Sequence, residues 1–182
     1  MNKTTMGIKH FFPWIKELFR QQVQPMPKGH TCQSINVTID NLFLDMNGII
    51  HNSAQKTYKY GNHKPNQRFL GQEGKVWVQP SGPRVQIKMF DDICRTIETL
   101  FDVVNPKKNL VLCIDGPAPL SKQNQQRQRR FRSAMESGDS TGFDSNSITP
   151  GTDMMDKLSR HIHFFLVKKI DEDSRWKNIK VT

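Results

Sequence analysis

Apolar residues recur with a helical period in three segments of the chain. Within residues 7–22, 90–104 and 152–170, roughly every third or fourth residue is apolar, which predicts three amphipathic helices. Pro13 is compatible with the first helix because proline is tolerated in a first turn. Asn105-Pro106 is expected to end the second helix, since proline cannot continue one.

Short apolar runs predict the strands of a sheet. The runs NLFL at 41–44 and NLVLCI at 109–114 are expected to form buried strands, and Asn47-Gly48 is a turn signal after the first. The final residues, 176–182, are expected to begin another strand. Strand, helix, strand and helix in this order predict an α/β fold with a parallel, or mostly parallel, sheet flanked by helices.

Residues 52–88 differ in composition from the segments on either side. Lys, Gln, Asn, Gly and Pro dominate, except in two alternating runs, KVWVQ at 75–79 and RVQIKM at 84–89, which PSGP separates. Such runs around a turn predict a β-hairpin extension. A length of 182 residues suits one domain with a core, so we interpret residues 1–182 as a single domain carrying this insertion.

The charge of the chain indicates an anionic partner. There are 27 Lys and Arg against 17 Asp and Glu, a net charge of +10, which favours nucleic acid first and an acidic membrane surface second. Cys32, Cys94 and Cys113 form neither a zinc signature nor a disulfide framework, and Cys113 is expected to be buried. No apolar run approaches the roughly 18 residues of a membrane span. The sequence therefore favours a soluble intracellular protein without a membrane partner.

An aspartate follows each of the two predicted strands. Asp45 ends the first apolar run and Asp115 ends the second. In parallel sheets, chemistry gathers at the carboxyl ends of the strands, and paired carboxylates there suit Mg²⁺, which prefers oxygen ligands. The alternative for each aspartate alone is that it caps a turn.

The segment SKQNQQRQRRFR, residues 121–132, is a predicted basic helix directly after the second aspartate. At about 100° per residue, four polar side chains fall within an arc of about 100°, whereas Arg127 and Arg132 point elsewhere. The four are Lys122, Gln126, Arg129 and Arg130. Their convergence near a helix start suits a phosphate, and a solvated helix face is the alternative.

Four segments, taken in order, resemble the N-terminal conserved region of the Xrn family of 5′→3′ exoribonucleases. They are MGIKHFFPWI, NLFLDMNGIIH, IDGPAPLSKQNQQRQRRFRSAM and FDSNSITPGTDMMDKL. The resemblance implies a PIN/FEN-like 5′-nuclease core that binds Mg²⁺, with Mn²⁺ as a substitute. It also implies processive degradation of single-stranded RNA from a 5′-monophosphate end.

The resemblance also implies roles for individual residues. Asp45 and Asp115 match metal-binding, catalytic positions, and His51 matches a residue that stacks near the first bases, although a lone histidine is more often structural. The remaining matches form the family's 5′-phosphate pocket: Lys122, Gln126, Arg129 and Arg130. The FDSNSITPGT segment receives no chemistry, because a turn and a helix N-cap at Thr149 or Thr152 explain it.

The chain departs from the family pattern at its C-terminal side. Further acidic ligands of the family come from segments beyond the equivalent of IKVT, so the core is expected to be incomplete after Thr182. Three hypotheses follow: the N-terminal part of a nuclease completed by downstream sequence or a second polypeptide, a module that binds 5′-phosphorylated RNA without cleaving it, or a degenerate remnant. The retained residues argue against the third and leave the first two open. Cytoplasm and nucleus are not distinguished.

Overall fold

The computed structural model describes most of the chain as helices around a small sheet. It describes residues 10–23, 25–63, 78–137 and 143–182, without the side chains of 129, 130, 132–134, 136 and 137. The helices are α1 (Phe11–Leu18), α2 (Met46–Tyr58), α3 (Pro83–Val104), α4 (Leu120–Ser137), α5 (Asp153–Glu172) and α6 (Ser174–Lys177). The strands are β1 (Asn41–Asp45), β2 (Asn109–Cys113) and β3 (Lys180–Val181).

The three strands form one parallel sheet in the order β1-β2-β3. Asp45 of β1 lies beside Cys113 of β2, and Leu110 lies beside Val181 of β3. Each crossover between neighbouring strands contains helices, as a parallel pair requires. The predicted α/β fold with a parallel sheet flanked by helices is therefore confirmed.

The core lies between one face of the sheet and the helices α2, α3 and α5. Leu44 and Leu110 point into it, whereas Phe43 points to the other face and is 66% exposed. β1 was expected to be a buried strand, but within the described residues it is an edge strand whose side chains alternate between core and solvent. The largest fully buried side chains include Trp176, Phe101, Met46, Ile50, Met89, Ile93 and Ile97.

The hairpin expected within residues 52–88 is wrong in its second strand. Residues 84–89 belong to α3, which starts at Pro83 after Gly82, whose φ of 94° and ψ of 172° favour glycine. Met89 and Ile93 are fully buried one helical turn apart, while Ile87 is half exposed on the outer face. Helical packing against the core outweighs the strand-like alternation. Residues 75–77 of the first strand lie outside the described residues, and 78–79 form no strand.

The ends of the helices follow local signals only in part. Asn105 ends α3 in the left-handed conformation with φ of 47°, and Thr152 caps α5, as the sequence predicts. The turn expected at Asn47-Gly48 is wrong, because both residues lie in the first turn of α2. Asp45 supplies the N-cap that lets the helix begin there, accepting a hydrogen bond from the Asn47 amide at 3.1 Å.

A polar network ties α2 to α3. The Asp92 carboxylate accepts hydrogen bonds from the buried Ser53 hydroxyl at 2.9 Å and from the Lys56 ammonium at 2.6 Å. Burial by itself raises the pKa of Asp92, but the hydrogen bonds from Lys56 and Ser53 outweigh it, and the net pKa is lowered. The network therefore holds a charged carboxylate at the helix contact with its partners in place.

The C-terminal segment closes the core around one tryptophan. The expected strand is confirmed only at its end, because α6 precedes β3 and buries Trp176 to 1% exposure. The indole stacks on Phe101 of α3 with ring centroids 4.0 Å apart. Arg175, the neighbour of Trp176 on α6, forms an ion pair with Asp102 of α3 at 2.9 Å. This contact joins the last helix to the centre of the domain.

Two surface features differ from a fully packed α/β domain. The apolar side chains of α1 are largely exposed, among them Phe12 at 65% and Trp14 at 56%. Cys113, expected to be buried, is exposed because it ends β2 on the face of the sheet opposite the core. None of the described helices has the length and apolar character needed to cross a membrane.

Candidate nucleic-acid site

Asp45 and Asp115 are brought to the same edge of the sheet by the strand register. Asp45 is the last residue of β1 and pairs with Cys113, and Asp115 follows two residues later in the chain. Asp115 therefore lies two residues beyond the residue opposite Asp45, and both aspartates are exposed at this end of the sheet. One carboxylate oxygen of Asp45 already accepts the Asn47 amide, which orients the side chain.

The carboxylates at this edge are the type of ligand that a hard cation prefers, but two of them are too few to form a complete site. Two carboxylates offer the oxygen ligands that Mg²⁺ prefers. In the described part of the chain, no group of three or more His, Cys, Asp or Glu side chains could hold a metal ion together. Asp45 and Asp115 would therefore be part of a metal site rather than the whole of one.

The basic helix begins close to this edge. Residues 114–119 run from the end of β2 to α4, whose start is held by hydrogen bonds from the Gln123 amide to Pro119 O at 3.0 Å and from its side chain to Ala118 O at 2.7 Å. Lys122 and Gln126, one turn apart, are both half-buried. The other two residues of the predicted phosphate pocket, Arg129 and Arg130, belong to α4, but their side chains lie outside the described residues.

An open cavity lies beside α4, with a volume of about 690 Å³. Its walls are loop residues 116–118, then Gln123, Gln126, Arg127 and Phe131 of α4, and Asn146 with residues 149–151. We call it the α4 cavity.

The α4 cavity is lined by only part of the predicted phosphate-pocket set within the described residues. Gln126 lines it, next to the loop that follows Asp115, whereas Lys122 is not among its walls. Arg127, expected to point elsewhere, lines it. The reason is that residues 123, 127 and 131 follow a helical period of four, so the face turned to the cavity is rotated from the predicted arc. His51 lies half-buried on α2 and does not line this cavity.

The second wall of the cavity is a hydrogen-bonded turn at 144–152, the 144–152 turn. The Asp144 carboxylate accepts the Asn146 amide at 2.8 Å, and the Ser147 hydroxyl donates to Asp144 O at 2.6 Å. The Thr152 hydroxyl donates to Ser147 O at 2.6 Å while it caps α5. These bonds fix the shape of the turn and join it to the helix.

An aromatic cluster attaches this turn to the core. Phe143 stacks on the buried Tyr58 with ring centroids 3.9 Å apart, and Tyr60 lies 5.8 Å away. Burial, followed by the charge of Tyr58, raises the pKa of Tyr60 to about 12. The amide of Phe143 donates to the Gln79 side chain at 3.0 Å. The sequence prediction had given this segment no role beyond a turn and an N-cap.

The chain is similar over nearly its whole length to known exonuclease sequences. Residues 6–182 match the family model described as "XRN 5'-3' exonuclease N-terminus". A 5′-3′ exoribonuclease 1 of Schizosaccharomyces pombe is 37% identical over 189 residues, covering 97% of this chain and 12% of the relative. The Saccharomyces cerevisiae protein of that name is 36% identical, covering 97% and 11%. A 5′-3′ exoribonuclease 2 homolog of Drosophila melanogaster is 31% identical, covering 97% and 22%.

Proposed function

Because the chain belongs to the XRN 5′-3′ exonuclease family and matches its N-terminal region, we propose that it is the N-terminal part of a 5′→3′ exoribonuclease with a PIN/FEN-like core. Its substrate is single-stranded RNA with a 5′-monophosphate. The observation that carries the proposal is the parallel register that delivers Asp45 and Asp115 to one edge, from which the chain enters the basic helix α4. The chain spans between about a tenth and a fifth of the relatives' length.

In this proposal, α4 holds the 5′-phosphate. The helix carries five basic residues, and its single acidic residue, Glu136, lies in the last turn. Positive charge and the exposed amides at a helix start both favour a phosphate there. The phosphate-binding residues are Lys122, Gln126, Arg129 and Arg130, and His51 lies close to the first bases.

Asp45 and Asp115 would hold Mg²⁺ or Mn²⁺ as part of a larger acidic cluster. When bound, the ion supplies stabilisation of negative charge on the phosphate that is cleaved. The chain's own contribution is to orient the RNA: α4 places the terminal phosphate, and the strand ends place the carboxylates near the next one. A second polypeptide, or further sequence, would supply the other acidic ligands.

We expect the protein to bind 5′-monophosphorylated RNA at least about tenfold more tightly than 5′-hydroxyl RNA, because charge-assisted hydrogen bonds to a phosphate are stronger than neutral ones. Lys122→Ala and Arg129→Ala should each remove most of this preference. Fluorescence anisotropy with 3′-labelled RNA at constant salt measures the affinities.

A matched control for this experiment is Lys107→Ala. Lys107 is exposed and precedes β2, at the opposite end of the strand from Asp115. Its removal lowers the net charge equally and should leave the preference unchanged. Equal affinity of the unmodified protein for the two RNA ends would contradict a specific phosphate pocket.

The second candidate function is RNA binding without cleavage. It is favoured by the two carboxylates that the described residues bring to the sheet edge, which would hold Mg²⁺ weakly. We therefore expect the chain alone to release little or no mononucleotide from 5′-phosphorylated RNA in Mg²⁺. Release of mononucleotides is measured by chromatography. Processive release that Asp45→Asn abolishes would instead establish the nuclease without a further polypeptide.

A further inference from the structure

The α4 cavity contains groups that the proposed phosphate pocket does not use. Arg127, Phe131, Asn146 and Thr149 line it, and none of them belongs to the predicted site. Of the two pocket residues whose side chains the structure describes, Gln126 lines the cavity and Lys122 does not. The cavity therefore shares Gln126 with the proposed 5′-phosphate pocket and adds groups of its own.

The polar groups of the α4 cavity suit a nucleotide. Among the described residues that line it, Arg127 carries the charge and no carboxylate opposes it. Gln126 and Asn146 add amide groups, each of which can both donate and accept hydrogen bonds, and Thr149 adds a hydroxyl. A guanidinium binds phosphate, and amides pair with the edges of bases and with ribose hydroxyls.

Phe131 gives the cavity an aromatic wall. It lies one helical turn after Arg127, and 65% of it is exposed although it is a large apolar side chain. Aromatic rings beside basic groups are the usual means by which proteins bind single-stranded nucleic acid, since bases stack on the rings. A base on Phe131 would cover this ring while a phosphate reaches Arg127.

The opposite wall is held in place before any ligand binds. Asn146 and Thr149 belong to the 144–152 turn, which internal hydrogen bonds and the Thr152 cap hold in one shape. Phe143 attaches this turn to Tyr58 in the core. Groups held in this way bind with a smaller loss of conformational entropy.

We propose that the α4 cavity binds one nucleotide of single-stranded RNA apart from the first bases that His51 is proposed to contact, with a phosphate at Arg127, the base on Phe131, and hydrogen bonds from Asn146. The volume of about 690 Å³ lies within the range of small-ligand sites. This inference rests on the proposed function for the identity of the ligand as RNA. It differs from the proposed 5′-phosphate pocket because the cavity contributes to RNA affinity whether the 5′ end carries a phosphate or a hydroxyl.

The test measures both RNA ends with variants of the cavity. Arg127→Ala and Phe131→Ala should each lower the affinity for 5′-phosphorylated RNA and for 5′-hydroxyl RNA by about tenfold. The ratio of the two affinities should stay unchanged. Asn146→Ala should lower the affinity for both RNAs by a smaller factor. The slope of log affinity against log salt should fall by about 0.7 for Arg127→Ala and stay constant for Phe131→Ala.

Matched controls separate the cavity from general surface effects. Lys107→Ala removes a positive charge elsewhere, and Phe164→Ala removes an aromatic ring that is 71% exposed on α5. Both should bind RNA nearly as the unmodified protein does. Losses in the two cavity variants no larger than in these controls would overturn the proposal, and far-UV circular dichroism checks that every variant is folded.

The outcomes also distinguish this inference from the proposed function. Absence of a 5′-phosphate preference, together with losses for Arg127→Ala and Phe131→Ala, would refute the phosphate pocket and support the cavity. A preference that Lys122→Ala removes, with normal affinity in both cavity variants, would support the pocket and refute the cavity. A protein that binds neither RNA refutes both.

Discussion

Replacement of Trp176 by alanine is expected to lower the free energy of unfolding by about 3–5 kcal/mol, a large share of the 5–15 kcal/mol typical of a domain. The indole is 1% exposed, stacks on Phe101 at 4.0 Å and meets Phe165 edge-on at 6.1 Å. Its removal would leave a cavity bordered by α3 and α5, which the surrounding helices can fill only partly. Urea unfolding followed by far-UV circular dichroism measures the change.

The control for this experiment is Trp14→Ala, which removes the same side chain from a surface position. Trp14 on α1 is 56% exposed, so we expect a change within about 0.5 kcal/mol. If Trp176→Ala does not fold, Trp176→Phe provides a smaller loss that remains measurable. Equal effects of the two alanine substitutions would show that α6 does not close the core as described.

Phe143→Ala is expected to reduce stability and RNA affinity together. Its ring stacks on Tyr58 at 3.9 Å, and the 144–152 turn follows directly. Since the ring is half-buried, a loss of about 2 kcal/mol is expected, less than for a fully buried phenylalanine. A loosened turn would no longer hold Asn146 and Thr149 against α4, and RNA should bind severalfold more weakly. Urea unfolding and fluorescence anisotropy measure the two effects.

Phe164→Ala serves as the aromatic control, since that ring is exposed and should affect neither measurement. Phe143→Leu should recover part of the stability because it refills much of the space. Loss of stability with unchanged RNA affinity would mean that the position of the 144–152 turn does not matter for binding. In that case the turn is only a cap for α5.

The exposed apolar surfaces have a structural cause. Parallel sheets are usually covered by helices on both faces, yet here the face that carries Phe43 is open within the described residues. The apolar side of α1 is open as well, with Phe12 and Trp14 largely exposed. Both surfaces are uncovered in the part of the chain that the structure describes.

Several predictions from the sequence were correct because the signals are local. Residues 90–104 and 152–170 keep a helical period over enough residues to identify helices. Asn105 and Thr152 mark helix ends through contacts with residues close to them in the sequence. Asp45 and Asp115 could be assigned to one edge since parallel strands end together.

Other predictions failed because they depended on distant parts of the chain. Residues 84–89 alternate like a strand, but they form the start of α3, in which Met89 is buried in the core. The sequence Asn47-Gly48 is typical of a turn, but both residues lie in α2. The helix starts before them because Asp45 caps it and Met46 is buried in the core. Burial depends on the elements that cover a position, and the sequence alone does not identify them.

The amino-acid sequence by itself determined the family, the positive charge, the order of the strands and helices, and the two aspartates at the strand ends. Only the tertiary structure decided which face of α4 meets a cavity, and so brought Arg127 rather than Lys122 to its wall. It also decided that the 144–152 turn, anchored through Phe143 on Tyr58, forms the second wall. The physical reason is that helical period relates positions along one helix, whereas the rotation of that helix is set by packing between separate elements.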